Sequence, residues 1–391
     1  MKIIYIRYSK ALKLILKFLR QVIKIIPLLD RWLITEIFPP LAFALSSCLV
    51  LILSFGELLD LIRKMVVSGL PLSSVIEILF FRLPGYLTLA LPMATLLGCL
   101  LAFSQLYNNS EIKALTSLGI SCRRILLPAI YIGIVMSFIT FSFSNYIAPD
   151  SNLKANSVFR RGLGQSSDIS YKRDIIYSQF DSEKNLEALF HAEEYKDNVM
   201  HNLTLVEYND GQQNRLILAK EGEWEVEQEQ WLLRDGSIFS LDKSQPSSKE
   251  NFLKYSYNLG YGPVMIAKIP SNSNNMNLNQ AYNALKLYNL SGNLKEENRL
   301  KVKIQEKFTV PLSCLVFSII GSTLAIRKAK TRGSGQSIAF GMSIILILIY
   351  YTVSFLFSAL GVSGTLHPFI AAWSPVVIFL IGSEYLIRQS S

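Results

Sequence analysis

The sequence lacks the residues from which enzymes and metalloproteins commonly build a site. It has four cysteines and three histidines in 391 residues, and none of them stands at the spacing of a Cys/His metal site. No phosphate-binding loop of the form G-x-x-x-x-G-K-[ST] occurs, and no pattern places a nucleophile beside a base. We therefore predict no catalytic residue, no metal site and no cofactor bound by this chain. If the protein uses ATP, a separate chain must hydrolyse it.

The polar middle of the chain, residues 150–303, contains no cysteine, which excludes a disulfide framework there. Charged residues are scarce in six apolar stretches, each about 20 residues long, enough for an α-helix to cross about 30 Å of hydrocarbon. Three stretches precede the polar block and three follow it, so the block lies across the membrane from both termini. The six predicted spans are Leu33–Phe55, Leu83–Phe103, Ile125–Tyr146, Phe308–Ile326, Ile338–Leu360 and Phe369–Ile387.

The net charge of +10 is unevenly distributed. Of 39 basic and 29 acidic residues, 19 and 21 lie between Asp150 and Lys303, which leaves 20 and 8 in the rest of the chain. Basic residues near membrane segments favour the cytoplasmic side. We therefore predict that both termini, the loop between spans two and three and the loop between spans four and five are cytoplasmic, with residues 150–303 outside. We assign the basic excess to the membrane rather than to nucleic acid.

Residues 1–31 carry lysines at helical spacing among apolar residues, which predicts a basic amphipathic helix on the cytoplasmic membrane surface. A cleaved secretory signal and an organelle transit peptide are the alternatives. Lys and Arg interrupt every candidate apolar core, and the stretch is rich in Lys rather than Ser, so we favour the uncleaved helix.

The polar block predicts a β domain, assigned to residues 150–270. Short runs of alternating apolar and polar residues are separated by turn signals, which is typical of a sandwich, a jelly roll or an open barrel. We expect its core to contain Tyr208, Trp224, Trp231 and Phe239. Alternating glutamates from Glu221 to Glu229 indicate a solvated strand face. Residues 271–306 predict a linker with helices that lead into the last three spans, in 307–391.

The loop Ser104–Arg124 predicts a short amphipathic helix over residues 108–119, between the second and third spans. Asn or Ser can cap it, Glu111 stands in its first turn, and Gly119 can end it. Ile112, Leu115 and Leu118 are expected along one face. Such a helix suits docking into a groove of a soluble partner or lying on the membrane, and the pattern leaves both open.

Ionisable residues deep in the spans are few, which disfavours an ion-coupled secondary transporter. Arg82, before a Leu-Pro-Gly sequence, stands near a span end together with Arg63 and Lys64. These three can contact an anionic headgroup, whereas the simpler interpretation of Arg82 is an arginine that reaches to the membrane interface.

Five sequence segments resemble those of the LptF/LptG permease family (also called YjgP/YjgQ) of lipopolysaccharide export systems, over about Leu29 to Ile387. They are Leu29-Asp-Arg-Trp-Leu, Ala90-Leu-Pro-Met-Ala, Ser110-Glu-Ile-Lys-Ala-Leu-Thr-Ser-Leu-Gly, Glu306-Lys-Phe-Thr-Val-Pro and Ala371-Ala-Trp-Ser-Pro. The resemblance implies a multi-pass inner-membrane subunit, with spans one to three in 32–149 and an inserted jelly-roll-like periplasmic domain.

The resemblance also implies partners. Two permease subunits, homologous or identical, would sit on a dimer of a cytoplasmic ABC ATPase, which uses the ATP. The periplasmic domain would pass lipopolysaccharide, or a related anionic glycolipid, to a β-jelly-roll bridge protein that serves outer membrane biogenesis. Arg63, Lys64 and Arg82 would meet the headgroup. The helix 108–119 would couple to the ATPase through Ser110, Glu111, Ile112, Ala114, Leu115, Ser117 and Gly119.

Two other function classes compete with this interpretation. A membrane-anchored adaptor would present the β domain to a partner, but six spans containing prolines exceed what an anchor needs. An ion-coupled transporter is disfavoured by the sparse charge within the spans. The residues do not separate the two branches of the family, nor a homodimer from a heterodimer.

Overall fold

A computed structural model of the chain describes residues 27–164, 172–180, 186–196, 198–209, 212–225, 228–240, 249–268, 275–290, 294–329 and 336–390. Most of the predicted amphipathic segment 1–31 lies outside these ranges.

The helices, in chain order, are α1 (Leu28–Ile52), α2 (Leu59–Ser68), α3 (Leu72–Asn108), α4 (Glu111–Ser117), α5 (Cys122–Ser142), α6 (Ala148–Gly162), α7 (Gly262–Lys268), α8 (Leu278–Leu290), α9 (Leu294–Ala329), α10 (Gln336–Val362) and α11 (Pro368–Ser390). Two short π-helical segments each join two neighbouring helices into one continuous helix. Leu53–Leu58 joins α1 to α2, and Phe143–Ile147 joins α5 to α6.

The six predicted spans are confirmed. Each coincides with a helix that is long and apolar enough to cross a membrane, except that the fifth begins two residues later than predicted: Leu28–Ser68, Leu72–Asn108, Cys122–Gly162, Leu294–Ile326, Phe340–Val362 and Pro368–Arg388. The first four extend past their apolar stretches because polar and charged turns continue the same helices on the side of the β domain. The chain is therefore a helical membrane protein with a β domain inserted between its third and fourth spans.

Two long helices, α3 and α9, form the centre of the bundle. In each, 72% of the most apolar segment is buried, against 11% for α10. Close approach of backbones at glycine explains this packing. A Cβ atom added at Gly98 of α3 would lie 2.6 Å from Cα of Leu41, and one added at Gly321 of α9 would lie 2.7 Å from the carbonyl oxygen of Leu96.

Six described strands form one antiparallel sheet in which the order in space equals the order in sequence. They are β1 (Lys172–Phe180), β2 (Leu186–Lys196), β3 (Val199–Asn209), β4 (Gln212–Glu225), β5 (Gln230–Ser240) and β6 (Lys249–Tyr257). The inserted β domain is confirmed. Its described strands are connected as a meander, without the strand crossings of a jelly roll.

One face of the sheet carries the core, which α7 helps to cover. Trp231 is 1% exposed, packs against Phe190 and Trp224, and donates from Nε1 to the carbonyl oxygen of Gly260 at 2.9 Å. The prediction of Phe239 and Tyr208 as core residues was wrong. Both are half-buried and lie outside this cluster, and Phe239 alternates with the inward-packed Ile238 along β5.

The opposite face is solvated, as the alternating glutamates predicted. Glu221, Glu223 and Glu225 of β4 are exposed on it. Glu229 is exposed too but lies in the turn before β5, and Glu227 lies outside the described residues. After the sheet, α8 and the first turns of α9 form the helices predicted for 271–306, and α9 continues without a break into the fourth span.

Candidate functional site

The short helix α4 is held against the end of the bundle by its inner face. Ile112 is 1% exposed and packs in a cluster with Phe103 and Ile125, and Leu115 borders the same cluster. Gly119, at φ +84°, ends the helix in the left-handed conformation that favours glycine. The amide of Ile120 then donates to the carbonyl oxygen of Leu115 at 3.1 Å. The predicted stop signal is confirmed.

The outer face of α4 differs from the prediction. Leu118 was expected beside Ile112 and Leu115 but is 79% exposed. The helix ends at Ser117, and six residues at 100° each place Leu118 well away from the direction of Ile112. Ala114 and Ser117 are exposed as well. The outward surface is thus a small apolar and hydroxyl patch around Leu118, the kind of surface that can enter a partner's groove.

The predicted side-chain cap is also absent at this helix. Ser110 has φ +62° and makes no capping hydrogen bond, because a capping serine needs an extended backbone. Asn109 instead donates from Nδ2 to Oε1 of Glu111 at 3.1 Å.

An ion pair joins the first and third spans at the same end of the bundle. Arg124, near the start of α5, donates from Nη1 and Nη2 to the two carboxylate oxygens of Asp30, at 2.5 and 3.0 Å. The side chain of Asp30 is 1% exposed and that of Arg124 is 33% exposed. A bidentate pair of this kind fixes both the distance and the orientation between the two side chains. It therefore ties the first turn of α1 to the start of α5, which directly follows α4 in the chain.

At the other end of the bundle, on the side of the β domain, a polar cavity of about 400 Å³ opens between α3, α6 and α9. Its lining combines charged groups and amides with a few apolar residues: Arg82, Gly85, Tyr86, Thr88, Leu89, Ser144, Ala148, Asn152, Asn156, Asn275, Lys303, Glu306, Lys307 and Val310.

Both π-helical segments contribute groups at or beside this cavity. Glu57, in the first segment, is 4% exposed; it forms an ion pair with Arg82 and accepts a hydrogen bond from the Tyr86 hydroxyl. In the second segment, the carbonyl oxygen of Ser144 accepts from Nζ of Lys307 at 3.1 Å. π-Helical turns are frequent at functional sites, where the extra residue re-aims neighbouring groups.

A second carboxylate lies on the α9 wall of the cavity. Oε2 of Glu306 accepts from Nζ of Lys303 at 2.7 Å, and Oε1 accepts from the Ser358 hydroxyl of α10 at 2.8 Å. Both oxygens of Glu306 are therefore occupied within the chain, and this carboxylate links α9 to α10.

The three cations predicted to meet a headgroup are not brought together at one cavity. Arg82 lines the cavity. Lys64 pairs with Asp60 at 2.6 Å and stands over the ring of Phe159, 4.7 Å from its centroid. Arg63 is exposed.

Comparison with known proteins decides the family. The model of the lipopolysaccharide export system permease LptF/LptG matches residues 31–389. The chain belongs to the LptF/LptG permease family. The lipopolysaccharide export system permease protein LptG of Escherichia coli K12 is 18% identical over 301 residues, which cover 77% of this chain and 81% of that protein. The LptG protein of Escherichia coli O6:H1 matches with the same identity and coverage.

Membership in the LptF/LptG family makes the chain a subunit of an inner-membrane transport system, which agrees with the six spans. Sequence reasoning missed the groups around the cavity, especially Glu57, Lys303 and Lys307. A signal existed for Lys307, because it stands directly before the apolar stretch Phe308–Ile326. A cation at that position can lie inside the membrane boundary and then needs a partner.

Proposed function

We propose that this chain is the permease subunit of an ABC transporter that extracts lipopolysaccharide, or a related anionic glycolipid, from the inner membrane. Membership in the LptF/LptG family over 31–389 carries the proposal. The E. coli relatives are named for lipopolysaccharide export, and the match spans most of both chains. The energy comes from ATP hydrolysed by a partner, a cytoplasmic ABC ATPase dimer, and this chain binds no cofactor of its own.

The helix α4 is the proposed ATPase contact. Its inner residues anchor it to the bundle, and its outer residues, with Leu118 at the centre, are free to enter a groove of the ATPase. A closing movement of the ATPase dimer would then push α4, and the Asp30–Arg124 pair would carry that movement into α1. This orientation requires cytoplasmic termini and a periplasmic β domain, as the charge distribution predicts.

The exposed apolar helices fit the remaining partners. Phe355 of α10 is 74% exposed and Phe43 of α1 is 59% exposed, so these faces can meet lipid or a second permease subunit, homologous or identical. The periplasmic β domain would pass the lipid to a β-jelly-roll bridge protein. Among the described strands, β1 and β6 form the two edges of the sheet, where such a partner could add a strand.

A pull-down with a matched control tests the ATPase contact. We expect Leu118→Asp to release the ATPase. Burying a leucine side chain contributes about 1.5–3 kcal/mol to the free energy of binding, and an aspartate loses this contribution and brings a charge into the interface. Leu253 of β6 is 80% exposed, against 79% for Leu118, so Leu253→Asp adds the same charge at the same exposure in the β domain.

The tagged chains are purified in mild detergent from native membranes, and co-purified proteins and lipids are identified by mass spectrometry. The proposal expects an ATPase and a lipopolysaccharide-like glycolipid with the wild type and Leu253→Asp, and no ATPase with Leu118→Asp. Absence of any ATPase from the wild type would overturn the function, and its equal recovery with Leu118→Asp would overturn the contact.

The proposed headgroup contacts remain Arg63, Lys64 and Arg82. Because they lie in different surroundings, Arg82 must be tested separately from the other two. Arg82→Gln would leave buried Glu57 without its cation, so its effect mixes binding with folding. The double variant Arg63→Gln/Lys64→Gln alters exposed and half-exposed groups. We expect it to lower crosslinking to the glycolipid, whereas the free energy of unfolding should fall by no more than about 1 kcal/mol, because the contacts of Lys64 with Asp60 and Phe159 are partly exposed. Unchanged crosslinking yield would remove these two residues from the site.

A further inference from the structure

The polar cavity contains a buried lysine that has no carboxylate partner among the described residues. Lys307 is 8% exposed, and its Nζ donates to the carbonyl oxygen of Ser144 at 3.1 Å. A backbone carbonyl offers a partial charge only, whereas a buried ammonium group is stable when a full negative charge pairs with it. This arrangement leaves one positive charge of the cavity to be neutralised.

The neighbouring charges do not supply that neutralisation. Glu306, the next residue, has both oxygens engaged, by Lys303 and Ser358. Of the three cations in the lining, Lys303 is thus paired with Glu306, and Arg82 is paired with Glu57. Among the described charges at the cavity, each carboxylate thus has a cation of its own, and Lys307 is the cation in excess.

The rest of the lining can complete an anion site. Asn152, Asn156 and Asn275 bring side-chain amides to the same cavity, and an amide can donate two hydrogen bonds to an oxyanion. Asn275 is 8% exposed. The volume of about 400 Å³ lies within the range of small-ligand pockets, so it can accept a phosphate group with part of the molecule that carries it.

We propose that this cavity binds one phosphate-bearing anion, with Lys307 as the pairing charge and the asparagine amides as hydrogen-bond donors. The phosphate belongs either to a membrane-lipid headgroup or to a free phosphate ion, since both present the same oxyanion. The site goes beyond the proposed function because it needs neither the ATPase nor the exported glycolipid. The bound anion would neutralise the excess positive charge of the cavity between α3, α6 and α9, on the side of the β domain.

The first test titrates the purified full chain with inorganic phosphate, against sodium chloride of equal ionic strength, and follows the thermal unfolding midpoint. A ligand that binds the folded state raises this midpoint with concentration. A parallel arm keeps the chain in micelles of a phosphate-free maltoside detergent with or without phosphatidic acid, whose headgroup is a phosphomonoester. A midpoint raised by phosphate alone indicates the free ion, and one raised by phosphatidic acid indicates a lipid headgroup; either supports the proposal.

Variants assign the response to the cavity. Lys307→Met should abolish the rise in midpoint, and without phosphate it should unfold no earlier than the wild type, because an unneutralised buried charge is removed. Lys301→Met is the matched control: it removes a charge from the same helix at a residue paired with Glu297 and outside the cavity lining, and should keep the full response.

Two outcomes would overturn the proposal: no rise in the wild type with either probe, or an equal rise in Lys307→Met. The wild-type titration stands by itself, so the conclusion does not depend on the variant folding. The ATPase pull-down uses no added anion, so failure here leaves the permease function standing.

Discussion

The ion pair between Asp30 and Arg124 predicts a coupling that can be measured between the first and third spans. We expect Asp30→Ala and Arg124→Ala each to destabilise the chain, and the double variant to lose much less than the sum of the two. Replacing either residue alone leaves the other charge without the partner that holds it in a bidentate geometry. Replacing both removes the unpaired charge as well.

The magnitude follows from the burial of the two side chains. Breaking a fully buried pair costs about 3–5 kcal/mol, because an uncompensated charge remains. Asp30 is 1% exposed, but Arg124 keeps 33% of its side chain exposed and can reach water once its partner is gone. We therefore expect a coupling energy of about 2–3 kcal/mol, which is a factor of about 30–150 in the unfolding equilibrium. The contribution of Asp30 to the first turn of α1 cancels in the cycle.

The assay is a double-mutant cycle on reversible unfolding in mixed micelles, with a second pair as the internal control. Glu384 and Arg388 form an (i, i+4) pair at 3.0 Å whose side chains are 52% and 73% exposed, and such exposed pairs contribute about 0.3–0.5 kcal/mol. A coupling energy for Asp30 and Arg124 no larger than that of the control pair would refute the reasoning. It would also remove this pair as a carrier of movement from α4 to α1.

Three further changes test the packing and the cavity. Gly321→Ala would place a Cβ 2.7 Å from a backbone carbonyl of α3, so thermal unfolding should show a loss of about 1–3 kcal/mol. Gly341→Ala has no atom within 4 Å and should be neutral or slightly stabilising, because alanine favours the helix. A loss of equal size in both variants would contradict close helix contact at Gly321. Trp231→Ala should lower the free energy of unfolding by about 3–5 kcal/mol, since Trp231 is 1% exposed; a loss within about 0.5 kcal/mol, as is typical of surface positions, would argue against a core built on this residue. Glu57→Gln should strengthen the phosphate response, since it frees one more cation beside the cavity; a weaker response in a variant that still folds would contradict the charge balance.

The sequence predicted the parts of the fold that depend on one strong local signal. The spans follow from apolar length, and a charge-poor stretch of about 20 residues has few alternatives to a membrane helix. The β domain follows from alternation, and α4 from its stop signal at Gly119. These features are set by residues close to one another in the chain.

The features that the sequence missed depend on pairing between distant segments. Phe239 looked like a core residue because it is large and apolar, but its face is decided by the register of β5 against β4, in which it pairs with Leu216. Lys307 looked like the start of a span. Its burial arises because Ser144, 163 positions earlier, brings a carbonyl to it, and no local pattern contains that contact.

The π-helical segments explain why a helical pattern of constant period does not predict the residues that lie at the cavity. One extra residue rotates everything after it by about 100° relative to a regular α-helix. A wheel drawn through α1 and α2, or through α5 and α6, at a uniform 3.6 residues per turn therefore assigns the wrong faces beyond each segment. Glu57 and Ser144 lie inside those segments. The two segments provide the carboxylate that pairs with Arg82 and the carbonyl oxygen that accepts a hydrogen bond from Lys307. The polar end of the bundle thus combines side chains of the regular helices α3, α6 and α9 with two groups that the π-helical segments supply.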